Sequence, residues 1–153
     1  MKKLQLLFIL IATFTTGIIN NATAQTHVGK NQEIFIDSAG VIKDHKGTKL
    51  AYIDKDNIVR NNKGTKIYFI DHNGNVIDAN GVNLGKANKN GSYYNIKGEN
   101  VLNTKDLDKE KCAILDPQGH NFGTAHKNYK LHACAAHCLL LEHQKEQSKK
   151  TKI

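Results

Sequence analysis

The chain has 153 residues, a net charge of +8 and 7% aromatic residues, and its lysines are spread along the sequence rather than clustered. This length suits one domain, and a positive charge without a basic cluster argues against a nucleic-acid interface. We expect either attraction to an anionic surface of the cell envelope or a solvated, lysine-rich surface without a partner.

Residues 1–24 are predicted to be a signal peptide. Lys2 and Lys3 precede an apolar stretch that ends at residue 19, and residues 22–24 form an A-x-A cleavage site. A retained membrane anchor is the alternative. Cleavage after Ala24 would remove those two lysines from the net charge of +8 and leave +6. We therefore expect an exported protein, periplasmic or secreted, with a polar lead-in at residues 25–33.

Residues 34–84 contain three copies of one sequence repeat. Each copy begins with apolar residues and an Asp, at 34–37, 51–54 and 68–71, and Asx-x-x-Gly motifs follow. These motifs predict tight turns, because the Asx side chain binds a backbone amide two residues on and Gly accepts a positive φ. The predicted turn residues of the whole chain are Asp37, Gly40, Gly47, Asp54, Gly64, Asp71, Gly74, Gly81, Gly98 and Gly119.

Two degenerate copies extend the repeat. Residues 92–98 form a fourth copy after an inserted loop at 88–91, and residues 113–119 form a fifth after a charged insertion at 104–111. Each copy predicts a strand, a turn, a second strand and a second turn. We predict a mainly β fold in which five hairpins close into a small barrel, as a single domain at residues 34–143.

Apolar residues occupy both positions before the Asx of each copy. Two positions before it stand Phe35, Tyr52, Phe69, Tyr93 and Ile114, and one position before it stand Ile36, Ile53, Ile70, Tyr94 and Leu115. Neighbouring residues of a strand face opposite sides of the sheet. We therefore expect both faces of the barrel wall to be at least partly covered.

Residues 127–147 depart from the repeat and predict a helix. The eleven residues 131–141 include no Gly, Pro or β-branched residue, and only His132 and His137 among them are polar. A helix that is apolar nearly all round must be buried, and this run is shorter than the roughly 20 residues that span a bilayer. We expect the helix to fill the barrel along its axis, followed by a disordered basic tail at 148–153.

These features resemble the five-fold β-flower proteins, small bacterial chains with a leader, repeated hairpins and an apolar C-terminal segment. The match is carried by residues 51–54 and 68–76 and by Gly47, Gly64 and Gly81, and it covers residues 34–143. The resemblance implies a barrel of repeated hairpins. Because that family has no assigned activity, the resemblance implies no catalytic residue, cofactor or ligand.

Cysteines and histidines are the candidates for chemistry. Cys112, Cys134 and Cys138 are expected to be buried free thiols, with one disulfide as the alternative. His132, Cys134, His137 and Cys138 lie within seven residues of the predicted helix. Thiolate and imidazole ligands suit zinc or copper, so these four residues are a candidate metal site.

No catalytic residue or cofactor is expected, because a helix buried inside a barrel offers a substrate no entry. We expect a non-enzymatic, exported and monomeric protein that acts as a binding or envelope-associated module. The alternative is a metal-binding or metal-handling protein that uses the four helix residues named above.

Overall fold

The computed structural model of this protein describes residues 33–150. The predicted signal peptide and all but the last residue of the polar lead-in lie outside this range. The strands are β1 (Ile34–Ile36), β2 (Val41–Asp44), β3 (Lys49–Ile53), β4 (Ile58–Asn61), β5 (Lys66–Ile70), β6 (Asn75–Asp78), β7 (Asn83–Ala87), β8 (Tyr93–Asn95), β9 (Asn100–Asp106), β10 (Lys111–Leu115) and β11 (Asn121–His126). A 3-10 helix (Lys127–Cys134) and α1 (Ala135–Lys150) follow them.

The eleven strands form a closed barrel in chain order. Neighbours in sequence pair antiparallel, and β1 seals the barrel by pairing parallel with β11. An odd number of strands joined by hairpins leaves the first and the last running in the same direction, which is why this one seam is parallel. The predicted mainly β barrel is confirmed. Its closure by five equal hairpin units is not confirmed, because eleven strands surround the axis.

Local hydrogen bonds explain why the Asx-x-x-Gly motifs turn the chain. The Oδ1 of Asp37 accepts from the backbone N–H groups two and four residues later, each at 3.0 Å. Asp54 and Asp71 accept from the equivalent N–H groups. All the predicted turn glycines have positive φ, between 76° and 91°. Each of these glycines therefore has the backbone conformation that the predicted turns require.

One turn lies where the sequence was expected to contain an inserted loop. Asn88 starts a turn like that of Asp71, in which the N–H of Gly91 donates to the carbonyl of Asn88 at 2.9 Å. Asn88 follows Asp71 by the same 17 residues that separate the earlier copies. The prediction of an insertion was wrong. It treated Asn95 as the counterpart of Asp71, whereas Asn95 starts the next turn along the chain, which lies at the opposite end of the barrel.

A bulge near the start of every second strand shifts the alternation of side chains. In β3 the extra residue is Leu50, because Lys49 and Ala51 pair with adjacent residues of β2. The corresponding residues of the later strands are Ile67, Leu84, Val101 and Phe122. All five pack against or within the core. Each bulge also places residues three apart on the same face of the strand.

The barrel interior is filled from both sets of strands. The even-numbered strands β2 to β10 contribute the fully buried residues Ile42, Val59, Val76, Tyr93 and Ile114, and β10 adds Cys112. Ile36 and Ile53 also point inward, whereas Phe35, Tyr52 and Phe69 lie half-exposed on the outside. The wall is therefore covered on its inner face, and its outer face keeps half-exposed aromatic rings.

The C-terminal segment passes through the barrel. The 3-10 helix starts where β11 ends, and Lys127 and Lys130 contact Asp106 there at 3.0 and 2.8 Å. Lys145 of α1 contacts Asp78 at 3.1 Å, in a turn at the opposite end. We call these the entry end and the exit end. The residues of this segment that belong to the buried core are Ala133, Cys134, Ala135, Ala136, Cys138 and Leu139.

The helical segment differs from the prediction in type and in length. Its first eight residues are 3-10 rather than α, with a kink at Tyr129, whose ring packs against Gly40. A 3-10 helix rises about 2.0 Å per residue against about 1.5 Å for an α-helix, so it carries the chain further into the barrel. Residues 148–150, expected to be a disordered tail, belong to α1, and residues 151–153 lie outside the described range. Within residues 33–150, no helix is both long and apolar enough to cross a membrane.

Replacing Gly74 by alanine is expected to cost more stability than replacing Gly47. Both glycines have positive φ, 85° and 80°, so both variants carry backbone strain of about 1 kcal/mol. A Cβ at Gly74 would also collide with the carbonyl of Ala87, whereas a Cβ at Gly47 meets nothing within 4 Å. We expect Gly74→Ala to lower the free energy of unfolding by about 2–4 kcal/mol, measured by urea denaturation. Equal losses in the free energy of unfolding of the Gly74 and Gly47 variants would contradict the collision at Gly74.

Candidate functional site

The four candidate metal ligands lie in the barrel but face different partners. His132 packs on Tyr68, with 6.3 Å between the ring centroids, and the Sγ of Cys134 lies 3.8 Å from the hydroxyl of Tyr68. His137 packs instead on Tyr93, with 5.6 Å between the ring centroids. Within residues 33–150, no three His, Cys, Asp or Glu side chains are arranged to hold a metal ion. The structure thus places the candidates in one core without gathering them into a ligand set.

All three cysteines are free, buried thiols, so no disulfide links them. The Sγ of Cys112 donates to the carbonyl of Ala125 at 3.4 Å. Burial raises the pKa of the Cys112 thiol, and hydrogen bonding to Cys134 together with burial raises the pKa of Cys138. A thiol held in its protonated form is a poor nucleophile and a poor metal ligand. These two thiols therefore act as small core residues.

Cys134 and Cys138 connect two buried tyrosines in one polar chain. Cys134 contacts Tyr68, Cys138 hydrogen-bonds to both Cys134 and Tyr93, and the hydroxyl of Tyr93 donates to the carbonyl of Leu84 at 2.6 Å. Buried polar atoms that find partners cost little stability. The chain of contacts thus gives the tyrosine hydroxyls a structural role in joining the helical segment to the barrel wall.

His132 is a buried polar residue without such partners. Its side chain is 2% exposed, and neither ring nitrogen has a hydrogen-bond partner in the part of the chain that the structure describes. Burial lowers the pKa of His132 from 6.5 to about 4, because a charged imidazole is poorly solvated inside the barrel. The folded protein therefore holds this imidazole neutral at neutral pH.

The stability of the fold is expected to decrease as the pH falls from about 6.5 to about 4. In the unfolded chain His132 is protonated near its ordinary pKa of 6.5, whereas in the folded protein it is protonated only near pH 4. Protons thus favour the unfolded state within this window and have no effect above it. At about 1.4 kcal/mol per pKa unit, the loss reaches about 3 kcal/mol. His137, whose pKa burial also lowers, acts in the same direction.

His132→Leu should remove most of this acid sensitivity and raise stability at pH 7, because the unpartnered imidazole is gone. Guanidinium denaturation at a series of pH values measures both effects. Carboxylates affect stability at lower pH. A hydrogen bond from Asn75 holds the pKa of Asp71 below 3.8, so the contribution of Asp71 to the free energy of unfolding is lost only below that value. The His132→Leu variant should keep this loss of stability below pH 3.8. An unchanged slope between pH 6.5 and 4 would contradict the assignment to His132.

The barrel exterior carries lysines above aromatic rings. The Nζ of Lys49 lies 4.6 Å from the ring centroid of Tyr52, and the Nζ of Lys66 lies 5.1 Å from that of Phe69. Each lysine precedes its aromatic residue by three positions, and the bulge between them places both on the outer face. Cation–π contacts at exposed sites contribute only about 0.5–1 kcal/mol. An ammonium group in such a contact can therefore move to meet an anion.

A third lysine and aromatic residue meet at an open groove. Lys86 of β7 pairs across the strands with Tyr94 of β8, and both line a cavity of about 330 Å³. Asn75 and Asn83 also line it, and Gly85 contributes no side chain to fill it. We define the cation–aromatic strip as Lys49, Tyr52, Lys66, Phe69, Lys86 and Tyr94.

The lysines of the cation–aromatic strip are not engaged by carboxylates. The ion pairs between lysine or arginine and aspartate in the described range are Lys43–Asp37, Arg60–Asp54, Lys127–Asp106, Lys130–Asp106 and Lys145–Asp78. None of them includes a strip residue. The strip therefore presents three ammonium groups beside aromatic surface, a combination suited to a ligand with both negative charge and an apolar face.

The sequence contained a signal for this strip that strand periodicity concealed. Lysine precedes an aromatic residue by three positions at Lys49 and again at Lys66. In a regular strand, residues three apart face opposite sides. Only the bulges, which the pairing of the strands reveals, bring each lysine to the same side as its aromatic partner.

No family model matches this chain, and no curated protein or solved structure is significantly similar to it.

Proposed function

We propose that this protein is an exported, non-enzymatic and monomeric module that binds an anionic component of the cell envelope. The observation that carries the proposal is the cation–aromatic strip, whose lysines lie over or beside aromatic rings and not beside carboxylates. The net charge of +8 supports it through long-range attraction to anionic surfaces. Export rests on the leader features of residues 1–24.

The chain is also proposed to be a β-flower relative built from five hairpin units and a closing strand. Turns recur five times at each end of the barrel, starting at residues 37, 54, 71, 88 and 107 and at residues 44, 61, 78, 95 and 116. Five bulges accompany them. The unequal last interval reflects the longer strand β9, which has seven residues.

The function is tested by sedimenting the purified, exported protein with native cell envelopes at low and high salt. We expect binding at low ionic strength that is lost as salt screens the charges, because the Debye length falls from about 10 Å at 0.1 M to about 3 Å at 1 M. Intact-mass measurement of the same material should show that residues 1–24 are absent. A protein that stays in the supernatant at low salt would overturn the proposal.

A metal-handling function is the second candidate, and one observation favours it. Both ring nitrogens of His132 lack hydrogen-bond partners among the described residues, and Cys134 lies two residues away on the same helical segment. Metal content of protein from unsupplemented cells, measured by mass spectrometry, tests this candidate. About one zinc or copper per chain, lost in His132→Ala/Cys134→Ala, would place it first.

A further inference from the structure

We propose that the cation–aromatic strip is a binding site for an acidic polysaccharide, a polymer of uronate-type sugars. In this arrangement the sugar carboxylates meet the strip lysines, and the apolar faces of the pyranose rings lie on the aromatic rings. The inference rests on the proposed function and names its ligand class and its site.

The spacing of the strip supports a polymeric ligand. Lys49 lies on β3, Lys66 on β5 and Lys86 on β7, so successive lysines are separated by two strands. Lys49 and Lys66 stand at the same position of their strands, so with neighbouring strands about 4.8 Å apart they are separated by about 10 Å across the barrel exterior. This separation is close to the length of two linked pyranose units, so every second carboxylate of a uronate polymer could meet Lys49 and then Lys66. Lys86 lies three positions further along its strand, at the adjoining groove, and extends the strip obliquely.

The groove at the third pair has the chemistry of a sugar site. Lys86 takes the place on its strand that Tyr52 and Phe69 occupy in earlier repeats, which opens the wall beside Tyr94. The Oδ1 of Asn83 accepts from the backbone N–H of Gly85 at 2.9 Å, and its NH₂ group remains as a donor. Amide and phenol groups beside an aromatic face suit hydroxyl-rich ligands, and the ammonium group suits their carboxylate.

A lipid surface fits the exterior less well. Membrane insertion requires large apolar side chains that protrude at one level of the protein. The exposed large apolar residues of the described chain are Val82, Ile96 and Leu107. Leu107 lies in an entry-end turn, Ile96 lies in an exit-end turn and Val82 follows another exit-end turn, so the three do not protrude at one level. The strip aromatics themselves are half-buried, and lysines cover two of them.

The test measures binding of the exported protein to polygalacturonate of defined length by isothermal titration calorimetry. Neutral dextran and phosphatidylglycerol vesicles are the comparison probes. The strip variant is Lys49→Gln/Lys66→Gln/Lys86→Gln. The matched control, Lys55→Gln/Lys89→Gln/Lys109→Gln, removes the same charge from entry-end turns. We expect the strip variant to lose about tenfold or more in affinity and the control to lose less than about threefold.

An aromatic variant separates stacking from charge attraction. Tyr52→Leu/Phe69→Leu/Tyr94→Leu keeps every lysine, and we expect it to weaken polygalacturonate binding about fivefold or more. Circular dichroism checks that each variant is folded. Equal losses in the strip and control variants, or vesicle binding without polygalacturonate binding, would overturn this inference. In those cases sedimentation with cell envelopes would still support the proposed function. A protein that does not sediment with envelopes would overturn the proposed function as well.

Discussion

Ending the chain after Lys130 is expected to unfold the protein. The deleted segment includes six core residues, among them Cys134, Cys138 and Leu139, which lie in contact with the inner wall of the barrel. Losing a single buried leucine typically costs about 2–5 kcal/mol, and a domain of this size has only about 5–15 kcal/mol in total. The hydroxyl of Tyr68 would also lose its contact with the thiol of Cys134.

The matched control for this truncation ends after Glu142. It removes only residues from 143 onward, whose described side chains are exposed, and it keeps every core residue of the segment. Circular dichroism and the dispersion of proton NMR signals compare the two proteins. We expect a folded barrel in the control and an unfolded chain in the shorter protein. A folded, monomeric protein ending at Lys130 would show that the barrel closes without its central segment.

Gly123→Val is expected to be the most damaging single substitution at the barrel seam. Gly123 of β11 pairs with Ile34 of β1 in the parallel contact that closes the barrel, and its φ is 122°. A Cβ there would collide with the carbonyl oxygen of Ile34, which belongs to the backbone and cannot move aside. Strain and collision together should lower the free energy of unfolding by at least about 3 kcal/mol.

Gly119→Val is the control for the seam. Gly119 also has a positive φ, 91°, but a Cβ there meets nothing within 4 Å. It should therefore show only the backbone strain, about 1–2 kcal/mol. Urea denaturation followed by circular dichroism measures both variants. If Gly123→Val were no less stable than the control, the close parallel pairing of β1 with β11 would be wrong.

Ambiguity in the local pattern explains why the predicted fourth and fifth repeats were misplaced, since the turns at Asn95 and Asp116 lie at the opposite end of the barrel from the turn at Asp71. Turns at both ends of the barrel begin with Asx-x-x-Gly, so the motif alone does not say at which end a given turn lies. Tyr93 and Tyr94 before Asn95 resemble the aromatic and apolar residues before Asp71, so the sequence pattern equated Asn95 with Asp71. The pairing of Lys86 with Tyr94 shows instead that Asn95 ends an even-numbered strand.

The sequence by itself determined the features of this protein that depend on short-range contacts. The turns follow from Asx side chains that bind amides two and four residues away, and the apolar C-terminal run could only be buried. Tertiary structure decided everything that depends on strand pairing. The parallel seam, the five bulges and the 3-10 start of the helical segment arise where distant residues meet, as does the isolation of His132. The cation–aromatic strip belongs to this second group. Bulges bring Lys49 and Lys66 to the side of their rings, and the pairing of β7 with β8 brings Lys86 beside Tyr94.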